Sequence, residues 1–209
     1  MPKLNIIFDI DETLVNTVKF DSFSNLKDIS DNLIFKKIDL PKAKLVTFYR
    51  PKLLEFIDYC FENFNVGFWT AGNSLYCKKV LENLLTEKQF NDCNLILSRE
   101  KNDYVDLKTK VVYKKVTNEF NVVKPLDLLW NDSKLSETFT KDNTIIVDNN
   151  PEILSQNPEN SVIIKDFTRE STDIYLNNLI VLLNKIKKYK SIKCQNVYDL
   201  ISLFSNSCI

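Results

Sequence analysis

Leu4-Asn5-Ile6-Ile7-Phe8-Asp9-Ile10-Asp11-Glu12-Thr13-Leu14-Val15 joins a short apolar run to two acids set one residue apart. The run Leu4 to Phe8 has the pattern of a strand buried on both faces. Side chains two apart on extended backbone point the same way, so the Asp9 and Asp11 carboxylates face one small volume. In open α/β sheets ligands bind just past the carboxyl ends of the strands. Two converging carboxylates repel unless a cation, a shared proton or separate jobs keep them apart. A solvated acidic turn or a helix N-cap accounts for the same residue types, since Asp, Glu and Thr favour both.

The rest of the chain continues the rhythm of short apolar strands and amphipathic helices. From Pro51 the pattern is helical: Leu53, Leu54, Phe56, Ile57, Cys60, Phe61 and Phe64 form one apolar stripe, with the proline placed in the first turn. Asn65 to Trp69 reads as a strand ending in Thr70-Ala71-Gly72-Asn73, and a second helix starts near Ser74 with Val80, Leu81, Leu84 and Leu85 inward. Leu95-Ile96-Leu97, Thr144 to Val147 and Ser161 to Ile164 read as further strands. Ser171-Thr172-Asp173 caps a long helix with Ile174, Leu179, Ile180, Leu182, Leu183 and Ile186 on its apolar face, and a short last helix covers Val197 to Phe204. This alternation predicts an α/β, Rossmann-like, mostly parallel sheet with helices on both faces, in a single domain over residues 1–209. Two stretches break the rhythm, 17–48 and 99–123, and are expected as small inserts beside the ligand-binding edge, with no large cap domain. Either shapes a substrate groove or packs a hairpin on the body.

Composition narrows the chemistry. Lys plus Arg number 28 and Asp plus Glu 28, so no global field favours nucleic acid or an anionic membrane. The lysines between Lys185 and Lys193 read as the wet face of a helix rather than a basic patch. No apolar run reaches the ~20 residues that cross a bilayer, and acids interrupt the N-terminal apolar run at Asp9, Asp11 and Glu12. The expectation is a soluble intracellular protein, in cytoplasm or nucleus. Cys60, Cys77, Cys93, Cys194 and Cys208 are scattered and form no CxxC pair, as reduced thiols would be. Histidine is absent and glycine numbers only 2, which removes His-based catalysis and glycine-rich phosphate loops. Acid–base work falls to carboxylates, lysine, tyrosine or cysteine. Abundant Asn and Lys beside scarce Ala and Gly fit an AT-rich genome of viral, protist or bacterial origin.

Polar chemistry gathers at the strand ends: Asp9, Asp11 and Thr13 at the first, Thr70 at the second, Asp148-Asn149-Asn150-Pro151 at the fourth, with Lys124 ahead of Pro125-Leu126-Asp127-Leu128-Leu129. In this order the set resembles the haloacid dehalogenase superfamily. Within it, the match is to phosphatases of the NLI-interacting-factor-like family, which act on the C-terminal domain of RNA polymerase II. The motif Asp-x-Asp-x-Thr-Leu-Val is met by Asp9 to Val15, Arg-Pro…Glu-Phe by Arg50 to Phe56, Thr-Ala by Thr70-Ala71 with Tyr76 in the next helix, Arg-Glu by Arg99-Glu100, the motif lysine by Lys124, and Asp-Asn-x-Pro by Asp148 to Pro151. The resemblance runs from about residue 4 to the last helices. Its departures, a longer stretch from Arg99 to Lys124 and a 17–48 segment unlike the family's flap, touch substrate choice rather than chemistry.

The resemblance implies a Mg²⁺-dependent phosphatase for phosphoserine or phosphothreonine in proteins, with the polymerase tail as one such substrate. Asp9 is then the nucleophile and Asp11 the general acid and base. Asp9, the Asp11 backbone carbonyl and Asn149 would bind the metal, with Asp148 supporting metal waters and Lys124. Thr70 and Lys124 would contact the phosphoryl group, Thr13 would orient the Asp9 loop, and Arg99 is either a substrate contact or a surface ion-pair residue. The partner is a phosphorylated protein, with no direct nucleic-acid binding and no membrane. Two other readings stay open: a phosphatase for a small metabolite or nucleic-acid end, and a non-catalytic binding module of the same fold, as some relatives in mitochondrial import are.

Overall fold

In a computed structural model, residues 3–20, 33–101, 103–114, 116–117 and 122–189 are described. The short helix expected at Val197–Phe204, with Cys194 and Cys208, lies outside them.

The chain begins with β1 (Asn5–Phe8), every residue of which is buried. Ile6 and Phe8 join one apolar cluster and Ile7 the other, so the strand is sandwiched between two layers. β2 (Val15–Lys19), β3 (Phe35–Leu40) and β4 (Ala43–Tyr49) follow and form a separate antiparallel sheet in the order β2-β4-β3. The first expected insert is therefore a three-stranded sheet, wider than a hairpin. Then come α1 (Leu53–Asn63), β5 (Asn65–Asn73), α2 (Ser74–Leu84), α3 (Glu87–Asp92) and β6 (Leu95–Glu100). β7 (Asp103–Asp106), β8 (Val112–Lys114), β9 (Val116–Thr117), β10 (Val122–Val123) and α4 (Asp127–Trp130) lead to β11 (Thr144–Asp148), β12 (Ser161–Ile163) and α5 (Tyr175–Tyr189).

The main sheet has seven strands in the order β12-β11-β1-β5-β6-β7-β8. Its first five strands are parallel, and β7 and β8 extend it antiparallel. Much of the second expected insert thus serves as the sheet's own edge. Apolar residues of α1, α2 and α5 pack on one face with Phe8, Phe68 and Val147, while α4 and the segment through Phe139 and Leu154 cover the other, over Trp69 and Ile146. The fold is α/β with helices on both faces, the heavier layer on one side. Complete burial of a phenylalanine such as Phe8 is worth about 2–3 kcal/mol, so this packing supplies much of the driving force.

Local differences from the expected elements have simple causes. Pro51 precedes α1 instead of standing in its first turn, because Lys52 takes a left-handed conformation with φ 66° as the N-cap. Of the expected stripe, Leu53, Phe56, Ile57, Cys60 and Phe64 are buried and Leu54 is exposed. α5 starts at Tyr175, leaving Ile174 outside the helix and exposed, and Leu176 takes the inward place. β5 continues through Thr70 to Asn73 with a shift of register against β6 between Trp69 and Asn73. Cys60, Cys77 and Cys93 are buried free thiols. Among the described residues, no helix is long and apolar enough to cross a membrane.

Candidate active site

The site lies at the carboxyl ends of the three central strands. β1 delivers Asp9 directly after Phe8, and the Asp9 N–H continues the ladder by donating to Val147 O at 2.9 Å. The chain then turns: the N–H groups of Leu14 and Val15 donate to Ile10 O, and Glu12 adopts φ 60°. A left-handed non-glycine residue is uncommon and costs of order 1 kcal/mol or more, which the surrounding contacts must offset. Those contacts are visible. Phe167 N–H donates to Glu12 O at 2.7 Å, and the Arg50 guanidinium donates to Thr13 O at 2.8 Å.

Lys124 follows β10 and is fixed by its own N–H donating to Ile153 O at 3.0 Å. Its ammonium, buried, donates to Asp9 Oδ1 at 2.6 Å and to Asp148 Oδ2 at 2.7 Å. Asp148 ends β11 and accepts from Asn150 N–H through Oδ1 at 2.9 Å, so both its oxygens are engaged. The Thr13 hydroxyl donates to Asn149 Oδ1 and accepts from Asn149 N–H, each at 3.1 Å, tying the loop after β1 to the loop after β11. The Asn149 amide also donates to Asp166 Oδ1 at 3.0 Å. Asp11 faces β5 and α2: its Oδ1 accepts from the Tyr76 hydroxyl, and Thr70 Oγ1 stands 3.5 Å from Oδ2. Thr70 Oγ1 itself accepts from Gly72 N–H at 2.9 Å.

Three buried or half-buried carboxylates share one ammonium here, and the electrostatics follow from that imbalance. Burial, together with repulsion from Asp148 and Asp11, pushes Asp9 up to about 7 against the pull of Lys124. Burial also raises Asp11, opposed by the Tyr76 hydrogen bond. Burial alone would lower Lys124, but Asp148 and Asp9 together hold it above its ordinary value, so it stays a cation. The side chains that meet here carry oxygen: the Asp9, Asp11 and Asp148 carboxylates and the Asn149 amide. That is the donor chemistry Mg²⁺ takes, with water completing the shell. Among the described residues no group of three or more His, Cys, Asp or Glu side chains is arranged to hold a metal.

A family profile described as NLI interacting factor-like phosphatase matches residues 4–193. The chain belongs to that phosphatase family. The CTD phosphatase-like protein 355R of Invertebrate iridescent virus 6 is 32% identical over 167 residues, 78% of this chain and 85% of that protein. Its namesake in Invertebrate iridescent virus 3 is 35% identical over 85 residues, 40% of this chain and 45% of that protein. Among solved structures, Fcp1, an essential RNA polymerase II CTD phosphatase, superposes with a TM-score of 0.55 at 16% identity. The match covers 91% of this chain and 51% of Fcp1, so the chain spans about half of that relative. A fission yeast Fcp1 bound to beryllium fluoride gives 0.53 at 15% identity, over 91% of this chain and 53% of the other. At such identities the likeness is one of fold.

Within this phosphatase-family chain, Asp9, Asp11, Thr13, Thr70, Lys124, Asp148 and Asn149 are linked by the contacts above, although they come from four separate stretches. Arg99 stands apart: it lies on β6, opposite Asn73 and Tyr104 in register, is exposed, and makes no ion pair among the described residues. Two contacts escaped the reading of the sequence. Tyr76, noted there as a motif echo, touches Asp11, and the signal was its fixed place six residues after Thr70. Arg50, part of the Arg-Pro motif, is buried under the site loop, forked onto Asp173 at 2.9 and 2.8 Å.

Proposed function

We propose that this chain is a Mg²⁺-dependent phosphatase that hydrolyses phosphoserine or phosphothreonine monoesters in proteins through an aspartyl-phosphate. The observation that carries the reading is the buried Lys124 bridging Asp9 and Asp148 at 2.6 and 2.7 Å, with Asp11 beside them. A phosphate monoester repels anions, so its hydrolysis depends mainly on positioning and on cations around the reacting group. The Asp9 carboxylate attacks phosphorus and the bond to the leaving oxygen breaks. Asp11 gives its proton to that oxygen, then takes one from the water that attacks the aspartyl-phosphate, releasing inorganic phosphate and free Asp9. Lys124 balances charge on Asp9 and on the incoming phosphoryl oxygens, and Thr70 donates to those oxygens. Bound by Asp9, the Asp11 carbonyl and Asn149, Mg²⁺ would supply the remaining positive charge.

The family supports phosphatase chemistry, and the names of the viral and Fcp1 relatives support a polymerase-tail peptide as substrate. A relative that binds beryllium fluoride, a stand-in for a phosphoryl group, agrees with a phosphorylated carboxylate. Hydrolysis of nitrophenyl phosphate is measured with Mg²⁺, with EDTA and in Asp9→Asn, followed by phosphoserine peptides against sugar and nucleotide phosphates. The expected result is metal-dependent turnover that falls at least ~10³-fold in a normally folded Asp9→Asn. An unchanged rate in that variant removes Asp9 as nucleophile, and preference for sugar phosphates removes the protein substrate.

A further inference from the structure

We propose that Thr17 and Tyr76 form a hydroxyl relay that holds the Asp11 carboxylate toward the leaving group, making the three-stranded sheet β2-β4-β3 a working part of the site. This rests on the phosphatase reading above. The Tyr76 hydroxyl lies against Asp11 Oδ1 and 2.7 Å from Thr17 Oγ1, which in turn stands 3.0 Å from Thr47 Oγ1. A phenol has one proton to give, and an ionised carboxylate only accepts. With Asp11 as the anion, Tyr76 donates to it and accepts from Thr17. Thr17 has then spent its own proton and accepts from Thr47. All three hydroxyl protons point along one line, from the small sheet into Asp11, and each bond polarises the next.

The relay is built on fixed backbone. Thr17 and Thr47 are cross-strand partners in β2 and β4. Tyr76 is held by the N-cap of α2, where its N–H donates to Asn73 Oδ1 at 3.0 Å. Its ring rests on Gly72 so closely that a Cβ there would come within 2.7 Å of Tyr76 Cδ1. Among the described residues the other Asp11 oxygen has only the long 3.5 Å contact with Thr70. A phosphoryl group that recruits Thr70 leaves Tyr76 as the hold on Asp11, and a general acid is useful only while its proton reaches the leaving oxygen.

A core tyrosine without this role would not sense the leaving group, and that separates the two cases. A nitrophenolate leaves without a proton, whereas a serine alkoxide needs one. Values of kcat/KM, which report the steps through phosphoryl transfer to Asp9, are compared for nitrophenyl phosphate and a phosphoserine peptide in wild type, Tyr76→Phe, Thr17→Val and Thr17→Ser. Both hydroxyl-deleting variants are expected to lose ~10–100-fold on the phosphoserine peptide and no more than about 3-fold on the aryl ester, mainly in kcat. Thr17→Ser is expected to restore the peptide rate, and the Thr17→Val/Tyr76→Phe double variant to be no worse than Tyr76→Phe. Equal losses on both esters, or none, in variants that keep the wild-type melting temperature would overturn the relay while leaving the phosphatase intact. A wild type inactive on both esters overturns the phosphatase reading and the relay with it.

Discussion

An acid buried among acids, as Asp9 is, resists ionisation, yet the chemistry proposed for it and any cation it binds both require the anion. With the folded group pushed up to about 7 from an ordinary 3.8, the unfolded chain has released its proton across that window while the folded chain keeps it. Stability from this group is therefore present at low pH and is lost as pH rises toward 7. Mg²⁺ bound as proposed would reverse the sign, because it would favour the anion in the folded state. Metal-free protein should thus lose melting temperature between about pH 4 and pH 7 from this group and no more above that, and added Mg²⁺ should restore more of it at the upper end. Calorimetry in two buffers of different ionisation enthalpy should find close to one proton released per Mg²⁺ at about pH 6 and close to none at about pH 9. Release that does not change with pH would contradict the raised Asp9.

The junction of β4 and α1 turns on Arg50, whose side chain is fully buried with each of its three nitrogens hydrogen-bonded. Its Nε and Nη2 fork onto Asp173, Nη1 donates to Thr13 O and Nη2 to Lys165 O, with the Phe167 and Tyr175 rings beside it. A lysine cannot reproduce that fork, so Arg50→Lys should cost about 2–4 kcal/mol in urea unfolding, and a loss below ~0.5 kcal/mol would mean the hub is not a net stabiliser. Nothing near Arg50 in sequence announces Asp173, which lies 123 positions away. The parallel strands, by contrast, were legible because burial on both faces writes unbroken apolar runs, and the strand-end acids because polar residues so placed have few other reasons to cluster. β3 was illegible: of Phe35-Lys36-Lys37-Ile38-Asp39-Leu40 only Ile38 is buried, so no alternation survives. β7 was missed for another reason. It is four residues long, and one of its two buried side chains is Asp106, whose carboxylate accepts from the Thr109 hydroxyl at 2.7 Å and caps the following turn. Among the residues around the site, Thr17, which meets the Tyr76 hydroxyl, was hidden because it sits on a strand that only tertiary pairing defines.

The molecule as a unit has a stable middle and a less stable margin. β1, β5 and β11 each pair on both sides within the seven-stranded sheet, whereas β2-β4-β3 is a small sheet fastened through fewer buried contacts. Amide exchange should be slowest at residues 6–8, 66–69 and 145–147 and at least ~10²-fold faster in the small sheet, since local opening follows contact density. The reverse order would show that the small sheet is the more stable unit. The same layout sets an order in time. The first strand emerges from the ribosome bearing Asp9, but Lys124 follows 115 positions later and Asp148 another 24 after that. A nascent chain therefore carries Asp9 without its counter-charge until Lys124 has emerged, and the chemistry proposed for Asp9 would wait until β11 has docked beside β1. Turnover through Asp9 would in effect be a certificate of completed folding, issued only to chains whose distant segments have met.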